Sequence, residues 1–170
     1  MQEKYFVTLY TENQIGLLNR ITNIFTRRQI NIESLTTSQS EIEGVYKFTI
    51  LVFAPQERVE KVISQLEKQI DVIKAFFHLP HQTVYQEIAM YKVSLEKADI
   101  QINSLDEVVR KSEAKIISLS KEFIIIEKTG HPSETEALLN ELRPFGILQF
   151  VRSGCVAITK DRMEVRKLLS

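Results

Sequence analysis

The sequence predicts an α+β fold built from two tandem ferredoxin-like βαββαβ units, and three observations carry that prediction. Runs rich in β-branched and aromatic residues alternate with stretches whose apolar residues recur at helical spacing. The order strand-helix-strand-strand-helix-strand occurs twice, over residues 1–79 and again over 83–170, the second unit ending in a short basic tail. The composition is that of a globular protein: 170 residues, 44% hydrophobic and 26% charged, enough to bury about 70% of the unfolded surface.

Tyr5 to Thr11 reads as the first strand. Leu17, Leu18, Ile21, Ile24 and Phe25 follow at helical spacing, with Asn19, Arg20, Asn23 and Arg27 on the opposite side. Asn31 to Ser38 and Val45 to Phe53 read as strands joined by a polar turn ending at Gly44. Pro55 opens a second helix through Val59, Val62, Ile63, Leu66 and Ile70, and Val72 to Leu79 supplies the fourth strand.

After a break at Pro80, His81 and Gln82 the order recurs. Val84 to Leu95 reads as a strand, and Ser104 to Glu107 has the capping-box spacing of a helix start, with Leu105, Val108 and Val109 on its apolar face. Ala114 to Leu119 and Phe123 to Glu127 form a hairpin around Ser120, Lys121 and Glu122. Pro132 and Ser133 to Glu136 start a helix that Pro144 ends, and Ile147 to Val151 is the last strand, with Val156 to Thr159 as its candidate continuation. Each unit is expected to bury two helices against one side of a four-stranded antiparallel sheet. Asp161 to Ser170 reads as a short basic helix or a loose tail.

Charge and residue counts exclude several function classes. Lys and Arg total 22 against 22 Asp and Glu, so no overall basic field favours nucleic acid. Tyr46 and Phe48 share a face of one strand like a base-stacking platform, but Glu41 and Glu43 stand beside them, and packing in a core is the better reading. Cys155 is the single cysteine, which rules out an internal disulfide or a cysteine zinc site and fits a reducing cytoplasm. The five glycines are too dispersed for a phosphate cradle. His78, His81 and His131 have no metal-site spacing, and no nucleophile-base constellation stands out, so no enzyme is expected. No apolar run reaches the length of a membrane span, and the first residues lack the pattern of a secretory signal.

The informative segment is Thr11 to Leu18, the connection from the first strand to the first helix. Gly16 lets a ligand or another backbone approach closely. The amides of Gly16, Leu17 and Leu18 point out of the positive end of the helix dipole, a seat for a small carboxylate. Asn13 and Asn31 offer amide groups suited to both ends of a zwitterion, and Ile15, Leu17 and Ile32 supply apolar walls. The other reading is a plain turn and helix cap, and the residue chemistry alone leaves the two even.

The string Glu12-Asn-x-x-Gly16-Leu-Leu-x-Arg20, followed by Phe25-Thr-Arg-Arg28-x-Ile-Asn-Ile-Glu-Ser-Leu35, resembles the ACT domain of the acetolactate (acetohydroxyacid) synthase small, regulatory subunits. Val151 to Val156 resembles the end of that family's C-terminal domain, and the likeness spans about residues 5–160. Two positions depart from the pattern. Gln29 stands where the family often has glycine, so the helix end should close differently, and Ile15 is bulkier than the usual small residue.

The resemblance implies a non-catalytic chain without its own cofactor. It implies a partner, the catalytic large subunit, that uses thiamine diphosphate, FAD and magnesium to condense two pyruvates, or pyruvate with 2-oxobutyrate. It further implies activation of that subunit and feedback inhibition by a branched-chain amino acid, chiefly valine, at the interface of an ACT homodimer. Carried onto this chain, Asn13, Ile15, Gly16, Leu17 and Leu18 of one protomer would face Asn31 and Ile32 of the other. The alternative is a free-standing amino-acid sensor of the ACT type acting on another partner. Neither nucleic acid nor membrane is an expected partner.

Overall fold

In the computed structural model the described residues are 2–95 and 98–169, without the side chains of 98–102 and 169. The chain divides into two compact units, Met1–Tyr85 with Cys155–Ser170, and Gln86–Gly154. The first contains β1 (Glu3–Glu12), α1 (Leu17–Arg27), β2 (Ile32–Gln39), β3 (Val45–Ala54), α2 (Gln56–Leu66) and β4 (Val72–His78). Its sheet runs β2-β3-β1-β4, all neighbours antiparallel. A short 3-10 turn over Pro80–Gln82 leads into β5 (Thr83–Ser94), which ends in the second unit. There follow α3 (Ala98–Lys111), β6 (Lys115–Leu119), β7 (Phe123–Gly130), α4 (Pro132–Leu142) and β8 (Ile147–Arg152), in the sheet order β6-β7-β5-β8. Both units therefore have the ferredoxin-like strand order that the repeated pattern predicted.

In the first unit Tyr5, Val7 and Leu9 project from β1 into a core with Ile21 and Phe25 of α1 and Val59, Val62 and Leu66 of α2. Each such side chain contributes roughly 1.5–3 kcal/mol when buried. Phe48 is buried in the same core and Tyr46 packs against it, which removes the stacking platform. α2 stops at Leu66, short of Ile70, which is fully exposed. In the second unit Ala89, Tyr91 and Val93 of β5 meet Leu105 and Val109 of α3 and Leu138 and Leu142 of α4. Ser120 closes the predicted hairpin, its hydroxyl oxygen accepting the amides of Glu122 and Phe123.

Three expectations need correction. Ser104 is not a helix start: α3 begins at Ala98, because good helix formers such as Ala98 and Gln101 continue the helix upstream of a short capping signal. The end of α1 does not close differently. Gln29 adopts the left-handed conformation itself, at φ 54, and the amide of Ile30 reaches back to Phe25 O at 3.0 Å, the closure a glycine would make. Gln29→Gly is therefore expected to stabilise the fold by about 0.5–1 kcal/mol, since a side chain in this conformation is strained. A higher urea midpoint at unchanged slope is the measurement.

The third correction concerns the C-terminus. Residues 155–169 fold with the first unit, not the second. After the positive-φ Gly154 the chain forms β9 (Val156–Thr159), which pairs with β5, and then the short helix α5 (Val165–Leu169). The amide of Cys155 donates to Ser34 Oγ at 2.9 Å, the Thr36 hydroxyl donates to Cys155 O at 3.0 Å, and Lys47 Nζ donates to Ala157 O at 2.8 Å. Phe6 and Leu51, on the sheet face away from the helices, are buried with Cys155 and Ala157, and Tyr85 packs against them. So β1 is covered on both faces. Asp161 onward follows as the basic end of this segment, with Ser170 outside the described residues. Among the described residues no helix is long and apolar enough to cross a membrane.

Candidate functional site

The loop from β1 to α1 is shaped by its glycine. Gly16 sits at φ 81 and serves as the N-cap of α1 without any side-chain cap, and the first turn carries no acidic residue. A left-handed φ is strained for any other residue type. The amide of Leu17 is already used, donating to Gln14 O at 3.2 Å, whereas those of Gly16 and Leu18 make no hydrogen bond among the described residues. Only two of the three expected amides are thus open. Asn13 and Gln14 are exposed, Ile15 is fully so, and an added Cβ at Gly16 would meet nothing within 4 Å. Leu18 is half exposed beside them. The Leu17 side chain is no wall of this surface, because it is buried in the helix-side core.

The base of the loop is clamped by a contact between α1 and the start of β4. Asp71, just before β4, accepts the Glu12 amide on its carbonyl at 2.9 Å, and its carboxylate pairs with the Arg20 guanidinium. Nothing in local spacing links positions 20 and 71, so only the closed sheet reveals the contact. Thr11, at the end of β1, is fully buried with its hydroxyl unpartnered among the described residues.

Asn31 and Ile32 lie past the far end of α1. That helix has 11 residues, or ~16 Å of rise at 1.5 Å per residue, so one protomer does not bring them to Gly16. Asn31 is exposed and its side-chain amide donates to Glu33 Oε1 at 3.4 Å, while Ile32 is half-buried against the core. Among the described residues no group of three or more His, Cys, Asp or Glu could hold a metal ion.

A βαββαβ sheet whose first loop delivers an uncapped helix start is the architecture of an ACT domain, and residues 7–74 match the family model described as an acetohydroxyacid synthase small subunit-like ACT domain. Residues 86–161 match the model described as the small subunit of acetolactate synthase. The acetolactate synthase small subunit of Bacillus subtilis is 37% identical over 95% of this chain and 93% of its own length. That of Mycobacterium leprae is 34% identical over 91% and 90%. The crystal structure of the Thermotoga maritima acetolactate synthase small subunit superposes with a TM-score of 0.85 at 29% identity, covering 95% of this chain and 99% of that one. The chain belongs to the acetolactate synthase small subunit family.

Proposed function

We propose that this chain is the regulatory subunit of an acetolactate synthase, acting in the cytoplasm on branched-chain amino acid biosynthesis. It binds the catalytic large subunit, raises its activity, and makes it sensitive to valine or a related amino acid. Thiamine diphosphate, FAD and magnesium belong to the large subunit in this scheme, and this chain performs no chemistry. The observation that carries the proposal is the identity of 37% over 95% of the chain with the small subunit of Bacillus subtilis.

Two protomers pair through their ACT domains and hold the effector between them. Its carboxylate accepts from the open amides of Gly16 and Leu18 at the positive end of α1. Asn13 completes the contacts from the same protomer, Asn31 and Ile32 from the other. What supports this arrangement is the uncapped helix start, together with the distance from Gly16 to Asn31 in one chain. A zwitterion needs oriented dipoles and no net field, in keeping with the equal count of acidic and basic residues. Valine then inhibits because it binds the less active assembly better than the active one, with a coupling of about 1–3 kcal/mol.

The test mixes this protein with an acetolactate synthase large subunit and assays acetolactate with and without valine. Higher activity on mixing, reduced by valine, is the expected result. No change on mixing, with valine still bound by the chain, would instead make it a free-standing amino-acid sensor.

A further inference from the structure

The sheet face that the C-terminal segment covers holds a second opening, separate from the loop at Gly16. It is a cavity of about 350 Å³ whose lining residues all belong to the first unit. That volume falls in the range of small-molecule sites. One wall is aromatic: Tyr10 of β1 and Phe76 of β4 stand with ring centroids 6.2 Å apart, tilted by 36°. The lining contributed by the C-terminal segment includes Ala157, Met163 and Val165.

Lys47 of β3 also lines this cavity. Its ammonium donates to Ala157 O at 2.8 Å and is in no ion pair among the described residues. Burial pulls its pKa below the ordinary lysine value, against a smaller upward pull from Glu41. A half-buried cation whose bonded partner is a neutral carbonyl has lost hydration without full compensation. An anion entering the cavity would supply the missing partner.

We propose that this cavity binds a small carboxylate with a compact apolar body. The carboxylate accepts the remaining protons of Lys47, and the body lies against the Tyr10 and Phe76 rings beneath Met163 and Val165. Exposed Glu41 and Asp161 at the lining can additionally receive an ammonium, so an amino acid and a simple acid share the chemistry that the cavity selects. The proposal does not rest on the effector site at Asn13 and Gly16.

Methyl NMR of the full chain tests it. The sequence has three methionines, and of these only Met163 lines the cavity, so Met163→Leu assigns its signal. In an Asn13→Ala background, 3-methylbutanoate is expected to shift the Met163 methyl saturably at millimolar concentration. The uncharged 3-methylbutanamide should not, and Lys47→Met should weaken the titration at least tenfold while Lys47→Arg keeps it. Tighter binding of L-valine than of 3-methylbutanoate would assign an amino acid as the natural ligand, and weaker binding a simple acid. Because Lys47→Met also removes the bond to Ala157, Thr8→Leu provides a second variant. It fills the cavity from β1 with Lys47 intact and should abolish the same shift. Absence of a saturable Met163 shift, an equal response to the amide, or a titration surviving both Lys47→Met and Thr8→Leu overturns the proposal.

Discussion

Asn13→Ala is expected to abolish valine inhibition of the reconstituted synthase while leaving activation of the large subunit intact. Asn13 is exposed and precedes the helix, so its truncation should change stability by no more than about 0.5 kcal/mol. Its amide would bond a charged group of the effector, and a hydrogen bond to a charged group contributes about 1.5–3 kcal/mol, or roughly 10- to 150-fold in affinity. A coupling of ordinary size cannot survive that loss at working effector concentrations. Gly16→Val should have the same effect by another route. Space exists for the side chain, but φ 81 does not suit a β-branched residue, and about 1–3 kcal/mol of backbone strain would shift the loop and its open amides. The measurement is acetolactate formation against valine concentration for each variant. Full valine sensitivity in both would remove the effector from this loop.

The second large effect is expected at Phe6. Its ring is buried on the sheet face away from the helices, 4.6 Å from the Tyr85 ring by centroids. With Leu51 it anchors Cys155 and Ala157 of the returning segment. Phe6→Ala should cost about 3–5 kcal/mol, and much of that loss should appear as opening of the segment. The sole cysteine reports it directly, since Cys155 is 2% exposed. If the variant still folds, the reaction of Cys155 with a disulfide reagent should accelerate by about a hundredfold, as the open population rises with the lost free energy. Circular dichroism separates this local opening from global unfolding. An unchanged thiol rate in a folded variant would mean that Phe6 does not hold the segment.

Most of the fold was legible because its signals are local. Leu17, Ile21, Ile24 and Phe25 declare an amphipathic helix within eleven residues, and Pro132 and Gly44 punctuate their elements without reference to the rest of the chain. The turn into α1 was legible for the same reason, as Gly16 directly precedes the apolar helical run and takes the left-handed φ that a glycine supplies. Two local signals depart from the folded chain for specific reasons. Position alone makes the Leu17 amide an open donor, whereas the turn geometry gives it Gln14 O as a partner. The residue type at Gln29 argues for another helix end, yet the surrounding hydrogen bonds impose the left-handed conformation on a residue that disfavours it.

One local clue to the covered outer face was present. Tyr5, Phe6, Val7, Leu9 and Tyr10 do not alternate apolar with polar as a strand with one wet face should, and all five are buried. What the clue does not contain is the identity of the cover. The hydrogen bonds between the sheet and Cys155 join residues 119 and 121 positions apart, beyond the reach of any periodic pattern.

The sequence by itself therefore determined two βαββαβ units, the loop at Gly16 and the family, because hydrophobic period, turn chemistry and short motifs act between near neighbours. Only the tertiary structure decided that Asp71 clamps the loop, that Asn31 lies out of reach of Gly16 in one chain, and that the C-terminal segment lies over Phe6 and encloses Lys47. Those outcomes depend on which distant surfaces exclude water together, and burial is a property of the closed chain.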